Sequence, residues 1–198
     1  EAMVRNMDGI PRGTLKIAST FAFGKSQLMP ALPTFMRSHP EVRVSLDLTD
    51  REIDLQNEGF DVAICFAEQY KNPDIVVRRI MQSRRVLCAA PAYLEQAGVP
   101  RSFENLADHN CLQIAGNSTD VVFRAALAGI GIARLPYYMA KRKFESGELI
   151  HVMPEYAPPS TDIVVMFADR RNLPPKTRAF VDFLVQQFRG AQDYQMMV

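Results

Sequence analysis

The stretch from residue 47 to residue 66 constrains the fold more than any other part of the chain. It begins at the end of an alternating strand, passes through a short helix that stops at Glu58-Gly59, and ends in the apolar run 61–66. Such a run is typical of a strand covered on both faces, as in a parallel sheet. Thr49 or Asp50 is expected to cap the short helix, because both side chains accept hydrogen bonds from helix amides. The stretch is therefore the middle of a strand-helix-strand unit.

Strands and helices alternate on both sides of this unit. Residues 13–19 alternate as a strand, and residues 25–38 carry an apolar helical stripe that Pro33 is expected to kink or delay. The first three strands then form a parallel sheet with right-handed crossovers. Further strands are predicted at 75–80, 84–90, 130–135, 149–153 and 161–168, and further helices at 119–128, 136–145 and from Pro174 onward.

The order of these elements predicts an α/β fold of two lobes, each a sheet flanked by helices. The strand-rich first part closes before Pro91, and the apolar strand at Thr161 with its helix returns to the first sheet. We place residues 13–88 and 162–190 in the first lobe and residues 89–161 in the second. A chain that crosses between lobes twice makes a cleft, and clefts between lobes bind small molecules.

Composition excludes several classes of function. The 23 basic and 22 acidic residues leave a net charge of +1, without the basic excess of a nucleic-acid-binding surface. No apolar run is long enough to cross a membrane, and residues 1–9 lack the pattern of a secretion signal. The three cysteines fit neither a disulfide framework nor a zinc site, and Cys65 and Cys88 are expected to be reduced core thiols of a cytoplasmic protein.

No residue pattern indicates an enzyme, a metal site or a cofactor. His109 and Cys111 stand two residues apart, but a nucleophile and its base normally come from distant segments. The glycines at 129 and 131 lack the lysine and hydroxyl residues of a phosphate loop. We therefore predict a binding domain without catalytic residues, without a metal and without a cofactor.

The candidate ligand site lies at the carboxyl ends of the first three strands, where open α/β sheets bind their ligands. Hydroxyl groups there can bind a carboxylate beside helix amides, and phenyl rings can pack an apolar body. Structural roles remain as alternatives: helix capping for Thr49 and Asp50, strand ending for Ser19 and Thr20, and core packing for Phe66. Asp50 repels an anionic ligand unless it points away. The candidate residues are Ser19, Thr20, Phe21, Phe23, Gly24, Thr49, Asp50, Cys65 and Phe66.

A series of blocks, in order along nearly the whole chain, resembles the effector-binding domain of LysR-type transcriptional regulators. No block is specific alone, and the evidence lies in their order. The most recognisable is Glu58-Gly59-Phe60-Asp61-Val62-Ala63-Ile64. The others are Arg12-Gly13-Thr14-Leu15-Lys16-Ile17 and the segments 28–42, 86–94, 106–112, 125–133 and 173–184.

The resemblance implies two α/β lobes like those of periplasmic solute-binding proteins, with a small-molecule effector in the cleft. It also implies a cytoplasmic homodimer or homotetramer that pairs helix 28–38 with helix 119–128 of the partner, and no membrane contact. Residues 1–12 then correspond to the end of a linker from a DNA-binding helix-turn-helix that is absent here, and residues 191–198 to a C-terminal tail. The alternative is a free-standing periplasmic solute-binding protein, against which the missing secretion signal and the three cysteines argue.

One segment departs from the family pattern. The family has two more strands of the second lobe after Leu112, and two strands with turns need about 20 residues. Only residues 113–118 are present before the next helix. Either the second lobe is trimmed, or the printed sequence omits a stretch near Gly116-Asn117. Omission is favoured, because loss of two strands would expose sheet edges.

Overall fold

The computed structural model describes residues 9–69, 75–113, 119–156, 158–168 and 173–189. Residues 191–198, most of the expected linker end and the shortened segment 114–118 lie outside this description. The chain divides into two compact units. The first combines the chain up to Gln82 with the segment that begins at Thr161, and the second runs from Ser83 to Ser160.

Strands and helices occupy most of the described residues. The strands are β1 (Gly13–Ser19), β2 (Val42–Leu48), β3 (Val62–Phe66), β4 (Val76–Ser83), β5 (Arg85–Ala89), β6 (Ala133–Pro136), β7 (Ile150–Val152) and β8 (Thr161–Phe167). The helices are α1 (Phe21–Phe23), α2 (Met29–Ser38), α3 (Leu55–Glu58), α4 (Pro91–Ala97), α5 (Thr119–Leu127), α6 (Tyr137–Glu145) and α7 (Pro175–Gln187), and a π-helical segment, Gly24–Leu28, joins α1 to α2.

The first unit contains a five-stranded sheet in the order β2-β1-β3-β8-β4. β1 runs parallel to β2 and to β3, as the strand-helix-strand pattern predicts. β8 returns to this sheet, also as predicted, and pairs antiparallel with β3 from Val62↔Phe167 to Phe66↔Ile163. The carboxyl ends of β1, β2 and β3 therefore share one edge of the sheet.

Both faces of this sheet are covered. On one side, Phe35 of α2 is fully buried and lies 5.0 Å, centroid to centroid, from Phe180 of α7. A second cluster includes Leu55 of α3, Cys65 of β3 and Met166 of β8. Full burial of a side chain as large as phenylalanine or leucine contributes about 1.5–3 kcal/mol, so these contacts hold the helices on the sheet.

The first helical segment is longer than the sequence indicates. It begins at Phe21 rather than near residue 25 and continues through the π-helical turn to Ser38. Pro33 lies inside α2 and ends no helix, although it donates no backbone hydrogen bond. π-helical turns are rare insertions and occur often at functional sites.

The second unit is built differently from the first. Its sheet has the order β6-β5-β7, and both neighbours of β5 run antiparallel to it. Among the described residues, β5 pairs only with strands of the second unit. This compact unit begins at Ser83, whereas the sequence places the boundary after residue 88. The core beneath α5 and α6 includes Ala126, Leu135 and Ala140.

A shielded ion pair fixes α7 to the amino edge of the first sheet. Lys176 Nζ lies 2.7 Å from Asp61 Oδ2 and also donates to the Thr14 carbonyl. The same Asp61 oxygen accepts the Lys16 backbone N–H at 2.8 Å. The two charged side chains are 17% and 20% exposed, so solvent screens their attraction only in part. Asp61 lies in the sequence block 58–64 and Lys176 in the block 173–184, both of which resemble LysR-type regulators. The ion pair joins these two distant blocks.

Candidate functional site

The carboxyl ends of the parallel strands meet as the sequence predicts. The Thr49 backbone N–H donates to the Ser19 carbonyl at 2.8 Å, which joins the end of β2 to the end of β1. The Thr20 N–H donates to the Ile64 carbonyl at 3.2 Å, which joins β1 to β3. The turns that follow three neighbouring strands are therefore held at one edge.

Three hydroxyl residues lie at this edge, at different depths. Ser19 and Thr20 are buried, and the Ser19 hydroxyl lies 3.3 Å from the Thr20 carbonyl, to which it donates. Thr49 is half-buried, and its Oγ1 accepts the Arg51 backbone N–H at 3.4 Å. Because the Thr49 hydroxyl is an acceptor in this turn, its own proton can be donated to a ligand.

Asp50 caps the first helix and not the short helix that follows it in sequence. Its Oδ1 accepts the Phe21 backbone N–H at 2.9 Å, while the N-cap residue Thr20 makes no side-chain cap bond. The expectation that Thr49 or Asp50 caps α3 is therefore wrong. Asp54 takes that role, because its Oδ1 accepts the Asn57 N–H at 3.1 Å. Burial raises the pKa of Asp50, and the bond from Phe21 offsets part of this rise.

Arg51 and Glu58 flank the site and were not among the candidates. The Arg51 guanidinium binds both carboxylate oxygens of Glu58, with Nη1 2.7 Å from Oε1. Together with the Asp54 N–H, this contact lowers the pKa of Glu58 to about 2. Arg51 and Glu58 are seven residues apart, across the turn into α3, which is not a recognised spacing for an ion pair, so sequence patterns do not indicate this contact. The pair fixes the loop between Thr49 and α3.

Aromatic candidates divide between the edge and the core. The Phe21 side chain is 40% exposed, and Phe66 is half-buried at the end of β3. Phe23, two residues after Phe21, is 1% exposed and packs against Phe188 with ring centroids 5.4 Å apart. Phe23 is thus a core residue that supports the edge from below.

Gly24 and Cys65 also face inward. A side chain on Gly24 would collide with Cδ2 of Leu48, so glycine allows the first helix to approach β2 closely. Cys65 is 6% exposed, its sulfur lies 3.8 Å from Met166 Sδ, and burial raises the pKa of its thiol to about 11. The residues that the structure brings to the edge are Ser19, Thr20, Phe21, Thr49, Asp50 and Phe66.

Neither a metal-binding cluster nor a membrane-spanning helix occurs among the described residues. Within the described ranges, no group of three or more His, Cys, Asp or Glu side chains is arranged to hold a metal ion. Among the described helices, none combines the length and apolar character that crossing a bilayer requires. The edge itself carries the polar side chains of Thr49 and Asp50 beside the rings of Phe21 and Phe66.

Comparison with known families identifies the domain. The model of the LysR substrate binding domain matches residues 8–116 and 113–189. The chain belongs to this family. Solved LysR regulatory domains share its two-lobed, periplasmic-binding-protein-like fold. The regulatory domain of CrgA from Neisseria meningitidis superimposes with a TM-score of 0.83 at 24% identity, covering 90% of this chain and all of that chain. The regulatory domain of AphB from Vibrio vulnificus gives 0.73 at 24% identity, covering 89% and 98%.

Relatives of this LysR domain are transcriptional regulators. An uncharacterised HTH-type transcriptional regulator of Haemophilus influenzae is 32% identical over 83% of this chain and 66% of its own length. The HTH-type transcriptional activator TtdR of Escherichia coli is 31% identical over 94% of this chain and 70% of its own length. The chain thus spans about two thirds of these relatives. They favour a regulator over the alternative of a free-standing periplasmic receptor.

The LysR match is interrupted where the sequence is short. Its two matched segments overlap at residues 113–116, and the alignment with TtdR runs over 220 positions although the chain has 198 residues. That alignment therefore opens gaps in this chain. The choice between a trimmed lobe and an omitted stretch depends on residues 114–118, which lie outside the described part of the chain.

Proposed function

We propose that this LysR domain senses a small, carboxylate-bearing effector at the edge formed by the ends of β1, β2 and β3. The observation that carries the proposal is the convergence there of the half-buried Thr49 hydroxyl, the exposed Phe21 ring and the half-buried Phe66 ring. Thr49 supplies a hydroxyl donor, and Phe21 and Phe66 supply apolar surface. In the full-length regulator, effector binding would bias the equilibrium between two domain arrangements and thereby alter DNA binding through a separate domain.

A thermal-shift screen of small organic acids tests the site. A ligand at about 100 times its Kd adds about 2.7 kcal/mol to the free energy of unfolding. For a hit, Thr49→Val should abolish most of the shift, because valine keeps the shape of threonine and removes the hydroxyl. The matched control is Thr14→Val, which makes the same change at the exposed amino end of β1.

The control separates loss of binding from loss of stability. Thr14→Val should leave the ligand-induced shift unchanged, and both variants should unfold within a few degrees of the wild type without ligand. A shift that survives Thr49→Val moves the effector away from this edge. The same proposal predicts that no turnover accompanies binding, and it places the regulator in the cytoplasm, as its relatives act on transcription.

We also propose that the domain forms a homodimer through α2 of one copy and α5 of the other, with a tetramer as the larger assembly. Met29 and Met36 of α2 are 50% and 43% exposed, and Val121 of α5 is 47% exposed. Large apolar side chains on regular helices, open to water, commonly mark protein interfaces. This agrees with the pairing that the family resemblance implies.

Light scattering at tens of micromolar tests the dimer. Met36→Glu should convert dimer to monomer, because an interface cannot bury an unpaired carboxylate without a large cost. Val99→Glu is the matched control, since Val99 is also exposed, at 59%, but lies outside both helices. A wild-type chain that is monomeric at this concentration, or a Met36→Glu variant that stays dimeric, contradicts the proposed interface.

A further inference from the structure

Asp50 already occupies the position in which the proposed site would hold a carboxylate. Its Oδ1 takes the Phe21 N–H at the start of the first helix, 2.9 Å away. Phe21 and Asp50 are 29 residues apart in sequence, so this contact exists only because the ends of β1 and β2 lie side by side. The protein's own carboxylate therefore competes with any anionic ligand for this amide.

The second carboxylate oxygen of Asp50 lacks a donor. Oδ2 is buried and makes no hydrogen bond to any part of the chain that the structure describes. A buried carboxylate oxygen without a donor is unfavourable, and native structures rarely leave one so. Burial also raises the pKa of Asp50, as expected for a charge that its surroundings stabilise poorly.

The neighbouring cation does not compensate this charge. Arg51 follows Asp50 directly, but its guanidinium is bound to the Glu58 carboxylate through both terminal nitrogens. The charge of Arg51 is therefore balanced by Glu58 and not by Asp50. A simple carboxylate placed within about 4–6 Å of Asp50 would meet a like charge, which disfavours ionisation of both groups.

We propose that Asp50 selects an effector that carries a hydrogen-bond donor, a hydroxyl or an ammonium group, which binds Asp50 Oδ2. This inference rests on the proposed effector site and narrows its ligand class to hydroxy or amino acids over the unsubstituted acids. The carboxylate of the effector then points away from Asp50. Because Oδ2 is buried, this proposal requires a side-chain rotation of Asp50 that brings Oδ2 to the donor while Oδ1 stays near the Phe21 amide.

Matched ligand series test the selection by isothermal calorimetry and thermal shift on the chain as it stands. One series is propionate, 2-hydroxypropionate and 2-aminopropionate; the other is benzoate with its 2-hydroxy and 2-amino derivatives. In each series that binds, the donor-bearing members should bind the wild type at least about tenfold more tightly than the parent acid, as expected for a hydrogen bond to a charged group.

Asp50→Asn supplies the matched variant. Asparagine keeps an oxygen for the Phe21 amide but places an NH2 group where Oδ2 stood and removes the charge. In this variant the preference for the substituted acids over the parent acids should fall below about twofold. Binding of a donor-bearing acid by the wild type, with its parent acid bound by Asp50→Asn alone, supports the same conclusion.

Two results overturn the inference. Equal binding of parent and substituted acids by the wild type shows that Asp50 does not select. The absence of any Asp50-dependent difference, including no binding in either series by either protein, makes Asp50 a helix cap only. The proposed effector site is judged separately, by the response of other organic acids to Thr49→Val. It survives if such acids bind in a Thr49-dependent manner while Asp50 has no effect.

Discussion

Lys176→Met should weaken the first unit far more than loss of an exposed ion pair on the same helix. Lys176 donates to the Asp61 carboxylate and to the Thr14 carbonyl, and both charged side chains are at least four-fifths shielded from water. A hydrogen bond to a charged group contributes about 1.5–3 kcal/mol, and Asp61 keeps its bond from the Lys16 N–H. We therefore expect a loss of about 2–3 kcal/mol in the free energy of unfolding.

Arg78→Met is the control for this experiment. Arg78 Nη1 lies 2.9 Å from Asp182 Oδ1, so this pair also joins α7 to the first sheet. Its side chains are 41% and 61% exposed, and an exposed pair contributes only about 0–1 kcal/mol. Each variant replaces a cation with a methionine of similar length. The difference between their losses of unfolding free energy therefore measures how far each ion pair is shielded from solvent.

Urea unfolding at 25 °C measures both losses. For a chain of this size a loss of 1 kcal/mol lowers Tm by about 2–4 °C, so Lys176→Met should lower Tm by roughly 5–10 °C. About 1 M salt should erase the effect of Arg78→Met and leave most of the effect of Lys176→Met. The reasoning is refuted if the two variants lose equal stability, or if Lys176→Met and Asp61→Asn lose additive amounts in a double-mutant cycle.

Two further predictions concern titratable groups. Burial lowers the pKa of His151 from its usual 6.5, and the nearby Glu155 carboxylate partly offsets this shift. The stability that the neutral imidazole contributes is therefore complete above pH 6.5 and is lost as pH falls through the lowered pKa. His151→Phe keeps the ring stacked on Phe144 and should flatten the fall in stability between pH 7 and 5; an unchanged pH profile contradicts this. One thiol in three, Cys111, should react rapidly with Ellman's reagent at pH 8, because Cys65 and Cys88 are buried and burial raises their pKa to about 11 and about 12. Rapid reaction of two thiols in the folded chain, with the third released by denaturant, argues against this placement.

Strands with strong patterns were predicted nearly to the residue. β1 was expected at 13–19 and is Gly13–Ser19, and β8 was expected at 161–168 and is Thr161–Phe167. β6 was expected at 130–135 but occupies Ala133–Pro136. The predicted strand began too early because Ile130 is apolar, although its side chain is 53% exposed in a turn. Gly129 forms this turn with φ of 73°. An apolar residue in an exposed turn is indistinguishable by sequence from the first residue of a strand.

The sequence predicted which strand ends form the candidate site, but it did not predict which of the candidate side chains are buried. Position after a parallel strand was enough to place Thr49 and Asp50 at the edge, because strand order follows from the crossover rules. The same reasoning wrongly placed Phe23 at the edge, because the helix starts at Phe21, four residues earlier than its local sequence signals indicate. The missing signal is the cap from Asp50, which comes from 29 residues away. Contacts between distant segments leave no periodicity in a single sequence. The role of each edge residue in ligand binding stays a prediction.

The position of β8 has a consequence for synthesis of the protein. β8 lies between β3 and β4, and β4 has no other neighbour in the described sheet. A ribosome therefore releases the whole second unit, Ser83–Ser160, before the strand that completes the first one. Until then the apolar edge of β3 is unpaired, and such edges recruit other chains. Slow translation of the segment from β8 to α7 should thus favour aggregation, whereas a circular permutant that begins at β8 should fold its first unit without this delay.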